Sequence, residues 1–73
     1  MPMTNTKLLS EEIRKNGYTM ESLANEIGLS RTGLFNKMHN ITEFRISEIN
    51  KISTVLNLKK RDMNRIFFAT DVE

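Results

Sequence analysis

The chain contains no cysteine, so it can form no disulfide and offers no thiolate for catalysis or metal binding. That composition suits a reducing cytoplasm. Histidine occurs once, at position 39, so no histidine pair is available to hold zinc. No apolar run is long enough to span a bilayer, and neither a transmembrane helix nor a signal peptide is expected. No alternating strand pattern, internal repeat, low-complexity segment or internal domain boundary is visible.

Catalytic chemistry finds as little support. His39 stands near a helix end, where a lone histidine is an ordinary surface or capping residue. Gly28 and Gly33 have the glycine spacing of a phosphate loop, but Leu34 and Phe35 occupy the places where that loop requires lysine and serine or threonine. Glu11 and Glu12 are neighbours on a helix and point apart, which makes a solvated face and not an acid–base pair. An enzyme is not expected, and no cofactor or metal is called for.

What is present fits one small helical domain over residues 1–73. A chain of this size buries only about 60–65% of its unfolded surface, so its stability should be a few kcal/mol. The formal net charge of +2 is too small to mark a nucleic-acid binder by itself. Its distribution says more. Residues 31–45 carry Arg31, Lys37 and Arg45 against Glu43, and residues 59–65 carry Lys59, Lys60, Arg61 and Arg65 against Asp62. Residues 19–27 carry only Glu21 and Glu26. Positive charge is concentrated after Ser30.

The stretch from Thr19 to Asn40 organises the rest. Thr19 is a good N-cap, and Tyr18 with Leu23 has the spacing of a hydrophobic staple. Glu21 lies in the first turn, where the helix dipole favours an anion. Leu23 and Ile27 share one face, and Gly28 can take the left-handed conformation that ends a helix. Ser30 caps the next helix, Leu29 and Leu34 repeat the staple, and Leu34 with Met38 makes an inward stripe. Arg31, Thr32, Phe35, Asn36 and His39 are left pointing outward. The pattern is that of a helix-turn-helix, whose second helix offers a donor-rich face to a DNA groove.

The remaining helices follow from caps and period. The chain should form helices over about residues 7–16, 20–27, 31–39, 46–56 and 60–68. Met1 to Asn5 is expected to be a frayed end, with Pro2 discouraging early structure. Thr6 should cap the first helix, Gly17 should stop it, and Leu9 and Ile13 should face inward with Leu8 partly buried. Asn40 is suited to a left-handed exit into the loop that ends at Arg45. Ile46, Ile49, Ile52 and Leu56, flanked by Ser53 and Val55, trace a buried stripe that Asn57 ends. Leu58 should plug the corner, and Met63, Ile66 and Phe67 are core candidates. Phe67 and Phe68 point about 100° apart on a helix, so both cannot be fully buried. The fold class is all-α, a compact bundle of five short helices around a central helix-turn-helix.

Ser22-Leu23-Ala24, Ile27-Gly28-Leu29-Ser30-Arg31-Thr32 and Leu34 resemble the helix-turn-helix of lambda-repressor/Cro-type (XRE-like) regulators. Asn36-Lys37-Met38-His39-Asn40 and Glu43-Phe44-Arg45-Ile46-Ser47-Glu48-Ile49 resemble the small versions carried by temperate phages of Gram-positive bacteria. Within that group the chain is most similar to the short Cro-like "modulator of repression" proteins. The resemblance implies a transcriptional regulator of a lysogeny switch, in the cytoplasm of a bacterial host. Its implied partners are double-stranded DNA, the phage repressor protein and a second copy of itself.

By the same resemblance, Arg31, Thr32 and Asn36 match positions that read bases, and Ser30, Lys37 and Asn40 match positions that hold phosphate. Arginine and asparagine have the chemistry for the first task, since each can make paired hydrogen bonds to a purine edge. Two residues depart from the family pattern. Met20 stands where a glutamine commonly bonds a phosphate, and a thioether cannot replace that donor. Phe35 stands on the outward face, where a polar residue is usual. It can touch a thymine methyl, fold under onto Phe44, or anchor a protein partner, because exposed aromatics contribute binding energy out of proportion to their number. A protein partner would meet Arg31, Phe35, Asn36 and His39. Two functions follow. One is a modulator that works with or against the phage repressor and DNA. The other is a stand-alone Cro-like dimer that reads a palindrome with half-sites about 34 Å apart.

Overall fold

Caps divide the chain into its elements. The computed structural model describes residues 3–68. Helix α1 spans Thr6–Lys15, α2 Met20–Ile27, α3 Arg31–Met38, α4 Ile46–Val55 and α5 Lys60–Phe67. Each starts after a residue in the extended region, which turns the chain into the helix. Thr19 accepts the Ser22 N–H at 3.0 Å, and the Ser22 hydroxyl accepts the Thr19 N–H at 2.9 Å, so two otherwise orphaned donors are satisfied reciprocally. Asn16, His39, Leu56 and Phe68, the expected last helical residues, are instead the C-caps of α1, α3, α4 and α5. Asn40 and Asn57 leave α3 and α4 with φ of 63° and 54°.

One apolar cluster holds the five helices. Leu9 and Ile13 come from α1, Leu23 and Ile27 from α2, and Leu34 and Met38 from α3. Ile49 and Ile52 come from α4, with Leu56 at its end, and Ile66 and Phe67 from α5. Helix α2 packs on α3 and α4, and α5 bridges α1 and α4. Phe44 and Phe67 meet edge to face, with ring centroids 5.4 Å apart. The result is an all-helical bundle. Among the described residues no helix is long and apolar enough to cross a membrane.

Four expectations are corrected. Asn5, not Thr6, caps α1, its Oδ1 accepting the Leu8 N–H at 3.0 Å. The Thr6 hydroxyl is drawn away to the Met38 carbonyl, 2.6 Å distant on α3. The amino end is not frayed at Thr4 and Asn5, because the Asn5 N–H donates to the Ile66 carbonyl and Thr4 pairs with Asn40. Met1 and Pro2 lie outside the described residues. Ile46 is 64% exposed and leaves the buried stripe. Successive steps of three fall about 60° behind a full turn, so a stripe centred on Ile52 and Leu56 has rotated away from Ile46. Met63 is only half-buried at the edge of the core. Phe67 is buried while Phe68 is 37% exposed, in keeping with their angular separation.

Candidate functional site

Helices α2 and α3 are joined by a three-residue turn that sets how α3 is presented. Gly28 caps α2 with φ of 78°, a conformation that strains any residue with a Cβ. The Leu29 N–H then closes back on the Ala24 carbonyl at 2.9 Å. Ser30 starts α3, its Oγ accepting the Gly33 N–H at 2.9 Å. A Cβ on Gly33 would lie 3.1 Å from that same Oγ, so glycine leaves the cap room. Ser30 is therefore occupied as a cap, although it remains exposed.

The outward face of α3 divides into two parts. In the first, Arg31 and Thr32 are exposed at the start of the helix. Phe35 is 48% exposed and lies one turn on, with its ring 4.2 Å from that of His39 and tilted by 33°. Met20 of α2 joins Arg31, Thr32 and Phe35 around a shallow depression. Phe35 does not pack on Phe44, whose ring is engaged with Phe67. This part of the face combines a large apolar ring, a soft thioether and an exposed guanidinium.

In the second part the Lys37 and Asn40 side chains are hydrogen-bonded to other parts of the protein. The Lys37 ammonium donates to the Glu43 carbonyl at 2.9 Å and sits 3.2 Å from the Glu48 carboxylate. The Lys37 and Glu48 side chains are 15% and 11% exposed. Asn40 accepts the Thr4 N–H at 2.9 Å through Oδ1 and donates to the Thr4 carbonyl at 3.0 Å through Nδ2. Asn36 is half-buried, and its backbone carbonyl accepts the Ile41 and Thr42 N–H groups. Of the six residues expected at DNA, Arg31 and Thr32 are exposed without such commitments. Lys37 and Asn40 instead tie α3 to the α4 end and to the amino-terminal segment.

Glu48 was not anticipated at this site. It is buried, and its Oε1 accepts the Arg45 N–H at 2.8 Å, so it closes the start of α4. Arginine has no acceptor to return the bond, so only half of a capping box forms. Burial alone would raise the Glu48 pKa. The Arg45 N–H bond, the Lys37 hydrogen bond and the charges of Lys37 and Arg45 outweigh it and hold the pKa below its ordinary value. The sequence signal was slight: a glutamate three residues into a helix whose N-cap is not serine or threonine. The bonds made by Thr4 and Thr6 had no local signal, since their partners lie 36 and 32 residues away. The chain matches no protein-family model and no curated protein.

Proposed function

We propose that this chain is a phage transcriptional regulator that acts as a modulator of repression, using the start of α3 to engage the phage repressor, alone or on DNA. One observation carries the reading. Phe35 stands exposed beside Met20, Arg31 and Thr32, while Lys37 and Asn40, the side chains suited to phosphate, are hydrogen-bonded within the protein. Exposed apolar surface suits a protein groove, and the bonds within the protein occupy the Lys37 ammonium and the Asn40 amide that would otherwise meet phosphate. The test is an electrophoretic mobility shift of the chain alone at low salt, repeated with the repressor present. Alone it should bind DNA at the micromolar level of non-specific contacts, and the mixture should give a distinct new complex. Tight, sequence-specific retardation by the chain alone would overturn the reading.

Arg31 and Thr32 also keep open a stand-alone Cro-like reader, because they are exposed at the end of α3 that enters a groove in such proteins. Such a reader works as a dimer, and exposed Ile46 and Phe68, beside Phe44 and Ile49, supply an apolar surface for a second copy. Sedimentation equilibrium separates the two, since the dimeric reader must show twice the chain mass.

A further inference from the structure

The first turn of α5 runs against the preferences of helices. A helix begins at the positive end of its dipole, where anions and Ser, Thr, Asp or Asn caps are favoured. Here the N-cap is Lys59, which makes no side-chain cap bond, and Lys60 and Arg61 follow as the first two helical residues. All three are exposed. The ion pairs among the described residues are Lys15 with Glu12 and Lys37 with Glu48, so none of the three has a bonded counter-ion there. Asp62 supplies a negative charge in the same turn, but it is half-buried and pairs with none of them. Arg65, four residues after Arg61, continues the exposed basic face. Three cations are thus gathered where the fold would be better served by an anion, and Arg65, in the last turn, adds a fourth to the same short helix.

We infer that this corner, Lys59, Lys60, Arg61 and Arg65, docks the phosphodiester backbone of a duplex without reading its sequence. A nucleic acid fits better than an acidic protein surface. Protein interfaces centre on apolar or aromatic anchors and are depleted in lysine, and no exposed large apolar side chain lies between Lys59 and Arg65. Phosphate binding needs only cations and donors. The amino end of α5 follows the end of α4 that lies away from the Lys37–Glu48 pair. The Glu48–Lys37 pair fixes α3 near the start of α4, whereas Lys59 follows its far end after Asn57 and Leu58. Ten residues of helix span about 15 Å. The inference stands whether or not the α3 reading does.

Fluorescence anisotropy of the full chain on labelled 16-bp DNA and RNA duplexes of arbitrary sequence, over a salt series, tests it. Lys60→Gln/Arg61→Gln should lower the salt slope by roughly two, at about 0.9 for each phosphate no longer neutralised. Lys59→Asp, which installs a cap and an anion at the dipole end, should raise the melting temperature while weakening binding. Lys15→Gln, which removes an exposed cation of α1 that is already paired with Glu12, should leave the slope unchanged. Any difference between the DNA and RNA duplexes then names the nucleic acid. The inference is overturned by an unchanged slope in the double variant, by an equal loss in Lys15→Gln, by no binding of wild type at 50 mM salt, or by tighter binding of polyglutamate than of either duplex.

Discussion

Replacing Lys37 by alanine should damage the fold before it damages any contact with DNA. The substitution leaves the Glu48 carboxylate without the ammonium 3.2 Å away, in side chains only 15% and 11% exposed. Removing one partner of a buried ion pair costs about 3–5 kcal/mol, whereas exposed pairs contribute about 0–1 kcal/mol. Glu48 keeps its 2.8 Å bond from the Arg45 N–H, so the expected loss is about 1–3 kcal/mol, between the exposed and the buried cases. In a domain of this size each kcal/mol lowers the melting temperature by roughly 4–8 °C. A thermal melt followed by circular dichroism at pH 7 should therefore drop by roughly 5–20 °C. The pH dependence has a defined sign. The folded Glu48 carboxyl has a pKa below its ordinary value of 4.5, so its contribution is complete above that value. It is lost as pH falls through the lowered folded value, and Glu48→Gln should flatten that acid limb. A melting temperature within about 2 °C of wild type in Lys37→Ala would refute the reasoning, as would a lowered salt slope on DNA with an unchanged melt.

Further outcomes check the packing. Leu34 is fully buried, and Leu34→Ala should cost about 2–5 kcal/mol, while Ile46→Ala, at an exposed site, should stay within about 0.5 kcal/mol; urea titration distinguishes them. Ser53 buries a hydroxyl with no hydrogen-bond partner among the described residues, so Ser53→Ala should stabilise the domain by about 1 kcal/mol. A fall in its urea midpoint would reveal a partner for that hydroxyl.

Local chemistry made most of the fold legible. Thr19, Ser30, Gly28, Asn40 and Asn57 each act within a few residues of themselves, and each occupies the cap or exit position its side chain suits. The inward stripes of α2, α3 and α5 are likewise local patterns, legible except for the half-buried Met63. Ile46 fails because a step of three drifts around the helix, so membership of a stripe weakens at its end. Contacts between distant residues were beyond reach. Thr6 is as good a cap as Asn5 on local grounds, and only the Met38 carbonyl across the bundle decides between them.

The same limit governs the candidate site. The helical period placed Arg31, Thr32 and Phe35 outward, and they are exposed. It placed Lys37 no differently from any flanking cation, because Glu48 reaches it only after the chain has turned through the 39–45 loop. Asn40 was legible as a helix exit but not as the partner of Thr4, to which it binds through both atoms of its amide.

The central claim, that α3 acts on a protein through Phe35, is tested most directly by isothermal titration calorimetry against the amino-terminal domain of the phage repressor. Phe35 is nearly half exposed and outside the core, so Phe35→Ser should melt close to wild type. The account predicts measurable binding by wild type and an affinity lower by roughly 1–3 kcal/mol in the variant, as for a moderate hot spot. Unchanged repressor affinity in Phe35→Ser, or no binding by wild type together with tight, sequence-specific binding of DNA by the isolated chain, would contradict it.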